Sequence, residues 1–164
     1  MILLLLITFP IYGQNSELIT DEELCGQIES AIQYLKTDRD LKTRNFRFGS
    51  RIGNGYNYNM FFPIEYVAHQ LDVEKEKIFV LDENKTNPIF KKLEITKRKI
   101  SKLELDCVKI KRKPNTELSK LDKDNLLINV TTNRVGKEGA NGVAYLFFFK
   151  NDEISAVYKT SWID

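Results

Sequence analysis

The chain has 164 residues, of which 42% are hydrophobic and 11% aromatic, enough for one domain with a core of its own. Its 25 Lys and Arg nearly balance its 23 Asp and Glu, leaving a formal net charge of +2. That balance excludes the global electrostatic footprint expected of a protein built for nucleic acid or for an acidic membrane surface, and no internal repeat or low-complexity tract divides the chain.

Met1 to Tyr12 is almost wholly apolar and is followed by the small residue Gly13 and the polar run Gln14-Asn15-Ser16. A bilayer span needs roughly 20 apolar residues, whereas the core of a signal peptide needs about 7 to 15. Residues 1–13 are therefore expected to be a signal peptide and residues 14–164 a single α+β domain. The expected destination is secreted or periplasmic, with no transmembrane segment in the mature chain. Cys25 and Cys107 suit an oxidising compartment as a disulfide, and equally suit a core as two small apolar groups.

Ile19-Thr20-Asp21-Glu22-Glu23-Leu24 carries a helix start. Thr20 and Glu23 have capping-box spacing, Ile19 and Leu24 stand where a hydrophobic staple would, and the acidic residues suit the positive end of the helix dipole. This explains the acidic cluster without a metal. Leu24, Ile28, Ala31, Ile32 and Leu35 then recur at helical spacing and form one apolar stripe. Gly26 inside this helix suggests close approach of another backbone.

Between Leu41 and Phe62 aromatics and arginines are interleaved with glycine and asparagine. An Asn54-Gly55 turn would fold Phe46 and Phe48 against Tyr56, Tyr58, Met60 and Phe62 as a hairpin. Such a hairpin offers Arg47, Tyr56, Tyr58 and Phe62 as candidate binding residues, because aromatic and arginine side chains carry much of the energy at interfaces. Alternate aromatics also fill the core of any half-buried hairpin. Gly53-Asn54-Gly55 lacks the residues of a phosphate loop.

Pro63 suits the first position of a short helix with Ile64, Val67, Ala68 and Leu71 on its apolar face. His69, the only histidine, is the candidate general base, with Glu65 one turn earlier as a candidate partner. Ile78 to Leu81 reads as a short strand and Asp82 to Pro88 as a turn without calcium-loop spacing. Ile100 to Arg112 is the longest strand candidate, within a lysine-rich stretch that suits a solvated sheet edge better than a polyanion site. Glu117 to Asp124 reads as a polar connection or short helix.

From Leu126 to Asp164 three antiparallel strands are expected, joined by short polar turns. Val143, Tyr145, Phe147 and Phe149 alternate with Ala144, Leu146 and Phe148, so both faces of this strand are apolar and it is expected to be the central strand of the main sheet. Ile154, Ala156, Tyr158 and Trp162 would line one face of the last strand. The expected fold is thus an N-terminal helix packed on a curved antiparallel sheet that ends in a C-terminal three-stranded meander.

The chain has no Ser-His-Asp order, no nucleophile elbow and no paired cysteines at metal spacing. The expected function is that of a non-catalytic binding or interaction module engaging a protein or carbohydrate partner, with no nucleic acid, no cofactor and no metal. The alternative is a small hydrolase or isomerase using His69 and a pocket carboxylate.

Overall fold

The structure, a computed structural model, describes residues 21–53, 55–94, 101–102, 107–108, 110–134 and 139–164. In chain order these form α1 (Asp21–Leu35), β1 (Phe48–Gly53), α2 (Gly55–Phe61), α3 (Pro63–Gln70), a 3-10 helix (Lys75–Val80), α4 (Glu83–Leu93), β2 (Ser101–Lys102), β3 (Thr116–Ser119), β4 (Asn125–Arg134), β5 (Ala140–Lys150) and β6 (Glu153–Ile163). The expected leader and the Thr20 cap lie outside the described residues. No described helix is long and apolar enough to cross a membrane.

The fold is α+β, and one sheet runs β2-β1-β3-β4-β5-β6. The expected C-terminal meander is β4, β5 and β6, paired antiparallel along their length. The whole sheet is mixed rather than antiparallel, because β1 runs parallel to β3. Lys150 pairs with Glu153 across a two-residue turn in which Asn151 and Asp152 have φ of 52° and 63°. This is the turn geometry that matches the twist of two adjacent strands.

Both faces of the sheet are covered. On one, Leu24, Ile28, Ala31 and Leu35 of α1 pack with Leu126, Ile128 and Val130 of β4 and with Val143, Tyr145, Phe147 and Phe149 of β5. On the other, Tyr58, Phe62, Tyr66, Val67, Ala68 and Leu93 from the α2 to α4 region pack with Leu127, Ala144, Leu146 and Phe148. Successive residues of a strand face opposite ways, so a strand covered on both sides must be apolar at every position. β5 therefore stays buried from Gly142 to Phe149. Contrary to expectation it is not the central strand but lies one strand in from the edge, next to β6, because helices cover both sheet faces there as well. Each large apolar side chain so buried contributes about 1.5–3 kcal/mol.

A bulge near Ser155 corrects the expected face of β6. Phe148 pairs with Ala156 but Phe149 pairs with Ile154, so one step on β5 matches two on β6. Ile154 consequently packs on the α1 side, while Ala156, Tyr158 and Trp162 pack on the other. Trp162 lies over Gly142, where an added Cβ would come within 2.4 Å of the indole. Its Nε1 donates to Asn129 Oδ1 at 2.7 Å.

Four other expectations are corrected. The hairpin across Asn54-Gly55 does not form: β1 is followed by α2, and its strand partners are β2 and β3. Tyr58, Phe61 and Phe62 recur at helical spacing, and the period-2 alternation depended on Met60, which is 60% exposed. Ile78 to Leu81 is not a strand but belongs mainly to the 3-10 helix, with Ile78 buried and Phe79 and Val80 exposed. The stretch after Asp82 is helix α4, because the Asp82 carboxylate accepts the amide of Asn84 at 2.9 Å and caps it. Within Ile100 to Arg112 the described strand is only β2, and Cys107 and Val108 lie in a turn.

The polar segment beginning at Thr116 is strand β3, between β1 and β4. Thr116 and Ser119 are fully buried there. Cys25 on α1 is joined to Cys107 by a disulfide with a Cα–Cα distance of 5.7 Å. A Cβ added at Gly26 beside it would meet no atom of a described residue within 4 Å, so among the described residues no backbone approach accounts for this glycine.

Candidate functional site

The candidate site is a basic cleft built where three distant segments converge. Arg44 and Arg47 come from the loop between α1 and β1, Lys113, Pro114 and Asn115 precede β3, and Thr131, Thr132 and Asn133 come from β4. Together they line a cavity of about 410 Å³. No acidic residue is among these lining residues.

The sheet register sets this geometry. β4 slips by one residue against β5 between Thr131 and Asn133, which takes Thr132 out of the regular ladder. Arg44 Nη1 donates to the freed Thr132 carbonyl at 2.6 Å, and Thr132 Oγ1 lies 2.6 Å from Asn141 Oδ1. One guanidinium of the cleft is thus fixed to the sheet. Asn115 fixes the second wall: its Oδ1 accepts the Arg47 amide at 2.8 Å, and its Nδ2 donates to the Asn45 carbonyl at 3.1 Å. Thr131 closes the arrangement by donating its amide to the Asn115 carbonyl at 2.8 Å.

Arg47 and Lys113 are exposed and make no ion pair with a described residue. A guanidinium fork and an ammonium lining one cleft bind carboxylate or sulfate oxygens by charge-assisted hydrogen bonds. The described residues lining the cleft include no histidine, cysteine or carboxylate.

Of the four sequence-derived binding residues, the three whose side chains are described do not share one site. Arg47 lines the basic cleft. Tyr58 is fully buried in the layer with α3 and α4, donating to Asn125 Oδ1 at 2.6 Å and packing edge-on against Tyr66. Phe62 is 1% exposed in the same layer. The Tyr56 side chain lies outside the described residues. In the sequence Arg44 belongs to the arginine- and aromatic-rich stretch and Lys113 ends the lysine-rich one, and the pairing of β1 with β3 brings the two segments together.

His69 occupies a second cavity of about 420 Å³ with Asp72, Val73, Glu74, Lys77 and Tyr158. A histidine and carboxylates therefore share one concavity, with Asp72 and Glu74 in place of the expected Glu65. Each has a structural account. The His69 ring stacks on Phe148 with centroids 3.5 Å apart, and burial lowers its pKa while the Asp72 charge opposes that shift. Asp72, at φ 51°, ends α3: its amide donates to the His69 carbonyl and the Val73 amide reaches back to Ala68. Glu74 is paired with Lys77 at 3.1 Å.

The remaining buried polar groups tie the helices to the sheet. Asp122 accepts from Tyr66 and from Lys92, the latter at 2.5 Å, and Asn125 Nδ2 lies 3.3 Å from its carboxylate. Lys120 donates to Gln27 of α1 and to the Lys123 carbonyl. Among the described residues no buried side-chain polar atom lacks a hydrogen-bond partner, and no cluster of three or more His, Cys, Asp or Glu could hold a metal.

Compared with protein-family models, with curated proteins and with solved structures, the chain has no match.

Proposed function

We propose that the protein is an exported, non-catalytic binding module that takes an acidic carbohydrate in the Arg44, Arg47 and Lys113 cleft. The observation that carries this reading is the lining of the cleft: three cations, two asparagines and two threonines in one concavity, with no acidic side chain among them. Positive potential in a concave site concentrates an anionic ligand, and the exposed Arg47 and Lys113 supply charge-assisted contacts to its carboxylate or sulfate oxygens. Export is supported by the apolar leader at residues 1–13 and by the Cys25–Cys107 bridge, which suits an oxidising compartment.

The test is calorimetric titration of the oxidised protein with uronic-acid and sulfated oligosaccharides, and with neutral oligosaccharides of matched length. The expected result is binding of the acidic sugars only, weakening with salt and lost in an Arg47→Ala, Lys113→Ala double variant that keeps its thermal midpoint. Equal binding of the neutral sugars, or undiminished binding by the double variant, removes this reading.

A second reading, a small hydrolase or isomerase, rests on His69 and Asp72 sharing one cavity. It requires turnover of an ester or keto substrate by the wild type that disappears in His69→Gln while the fold is kept.

A further inference from the structure

β6 is eleven residues long, and among the described strands it stands at the end of the sheet with β5 as its one neighbour. The Asp164 amide donates to the carbonyl of Ala140 at 2.8 Å, so this opposed pair is a hydrogen-bonded one. Alternation along an antiparallel ladder then turns the peptide groups of Tyr158, Thr160 and Trp162 toward β5, and those of Val157, Lys159, Ser161 and Ile163 toward the open edge. Edges of this length are ordinarily blunted by charge, by proline or by a bulge. From Ala156 to Ile163 there is no proline, and Lys159 is the one charged residue. Its ammonium is drawn away to Asp38, at 2.5 Å, and to Asp40, at 3.7 Å. Ile163 is left 90% exposed.

We propose that β6 pairs antiparallel with β6 of a second copy of this chain, about a two-fold axis that passes between the two Thr160 residues. The occupant follows from self-complementarity. Two copies of one edge can bond only through their outward residues, which here have odd numbers, so the axis must fall on a residue. An axis at Lys159 sets like charges directly opposite one another, which is unfavourable. An axis at Tyr158 runs the overlap into the bulge near Ser155. An axis at Thr160 avoids both and, with the strand ending at Ile163, pairs Val157 to Ile163, whereas an axis at Ser161 pairs only Lys159 to Ile163. The Thr160 axis covers the exposed Ile163 with Val157 of the other copy, sets Lys159 against Ser161, and places Tyr158 beside Trp162. The sheets of the two copies then continue into one another. This inference uses a surface separate from the basic cleft and does not depend on the carbohydrate reading.

The experiment is sedimentation equilibrium of the oxidised full chain, with two variants. The wild type is expected at twice the chain mass. Ser161→Pro, which removes an outward amide and leaves the β5 ladder whole, is expected at the single mass with an unchanged circular dichroism spectrum. Thr160→Cys reports the register, since the two native cysteines are already bonded to each other. In the proposed pair the two Thr160 Cα atoms would be about 4.5 Å apart, as in any pair not bonded through the backbone, within disulfide reach. That variant should oxidise to a covalent dimer, and Ser155→Cys, outside the overlap, should not. A wild type that stays at the single mass at sub-millimolar concentration overturns the proposal. So does a dimer untouched by Ser161→Pro, or a Thr160→Cys chain that links no faster than Ser155→Cys. If Ser161→Pro fails to fold, the cysteine comparison decides alone.

Discussion

Arg47 and Asn115, 68 residues apart, exchange hydrogen bonds in both directions: the Arg47 amide donates to Asn115 Oδ1 at 2.8 Å, and the Asn115 amide donates to the Arg47 carbonyl at 3.0 Å. This double link sets the entry of β1 beside β3 and fixes one wall of the basic cleft. Asn115→Ala removes the side-chain half of it and the bond to Asn45, and is expected to lower stability by about 1–3 kcal/mol. Asn115→Asp keeps the acceptor for the Arg47 amide but adds negative charge to the cleft. It should lose acidic-sugar binding with a smaller fall in stability, measured by titration and urea denaturation side by side.

Tyr58 and Phe62 separate the core from the binding surface. Both are closed to solvent beneath the α2 and α3 layer. Phe62→Ala and Tyr58→Ala are each expected to cost about 3–5 kcal/mol in chemical denaturation. Tyr58→Phe should cost about 1–2 kcal/mol, because it leaves the buried Asn125 Oδ1 without its phenol donor. In conditions where these variants remain folded, ligand affinity is expected to match the wild type; a selective loss of affinity would place one of them at the site.

The Cys25–Cys107 bridge closes a loop with a sequence separation of 82. Restricting so long a loop in the unfolded chain stabilises the fold by about 4 kcal/mol in the chain-entropy account. Reduction, or a Cys25→Ser, Cys107→Ser double variant, should shift the urea midpoint down by the corresponding amount. A thiol count of the native protein before reduction should find none free.

Gly26 sits inside α1, exposed, and a methyl group added to its Cα would meet no atom of the described residues within 4 Å. Alanine there reduces the freedom of the unfolded chain without a clash against any described residue. Gly26→Ala is expected to raise stability by about 0.5–1 kcal/mol, seen as a higher thermal midpoint.

Stability should depend on pH at both ends of the range. Burial raises the pKa of Asp122 and of Asp38, but bonds from Lys92, Tyr66 and Asn125 to Asp122, and from Lys159, Tyr145 and the Asp40 amide to Asp38, outweigh it and bring both below 3.8. A carboxyl depressed in the folded state stabilises fully above its unfolded pKa and loses that contribution as pH falls through the folded value. The urea midpoint should therefore fall below about pH 4, and less steeply in Asp122→Asn. Lys120 works in the opposite range, since burial lowers its pKa from 10.5 to about 8 against the pull of Glu23, Asp124 and Asp122. Between those values the unfolded chain binds the extra proton, so this residue makes stability rise with pH across the window. Lys120→Met should abolish that rise.

What the sequence could determine by itself was whatever is written in local periodicity. The stripe Leu24, Ile28, Ala31 and Leu35 specified α1, and the apolar run from Val143 to Phe149 specified a strand covered on both faces, because burial on one side or on two leaves different patterns. The Tyr58, Phe61 and Phe62 spacing was legible too, but a competing alternation through Met60 concealed the helix. β3 carried no such signal: Thr116 and Ser119 are polar, and their burial between β1 and β4 depends on hydrogen bonds supplied by strands far along the chain. The cleft is of that second kind. Arg44, Lys113 and Thr132 share no segment, and their convergence follows from the parallel pairing of β1 with β3 and the one-residue slip of β4 at Thr132, both settled only when the sheet closes.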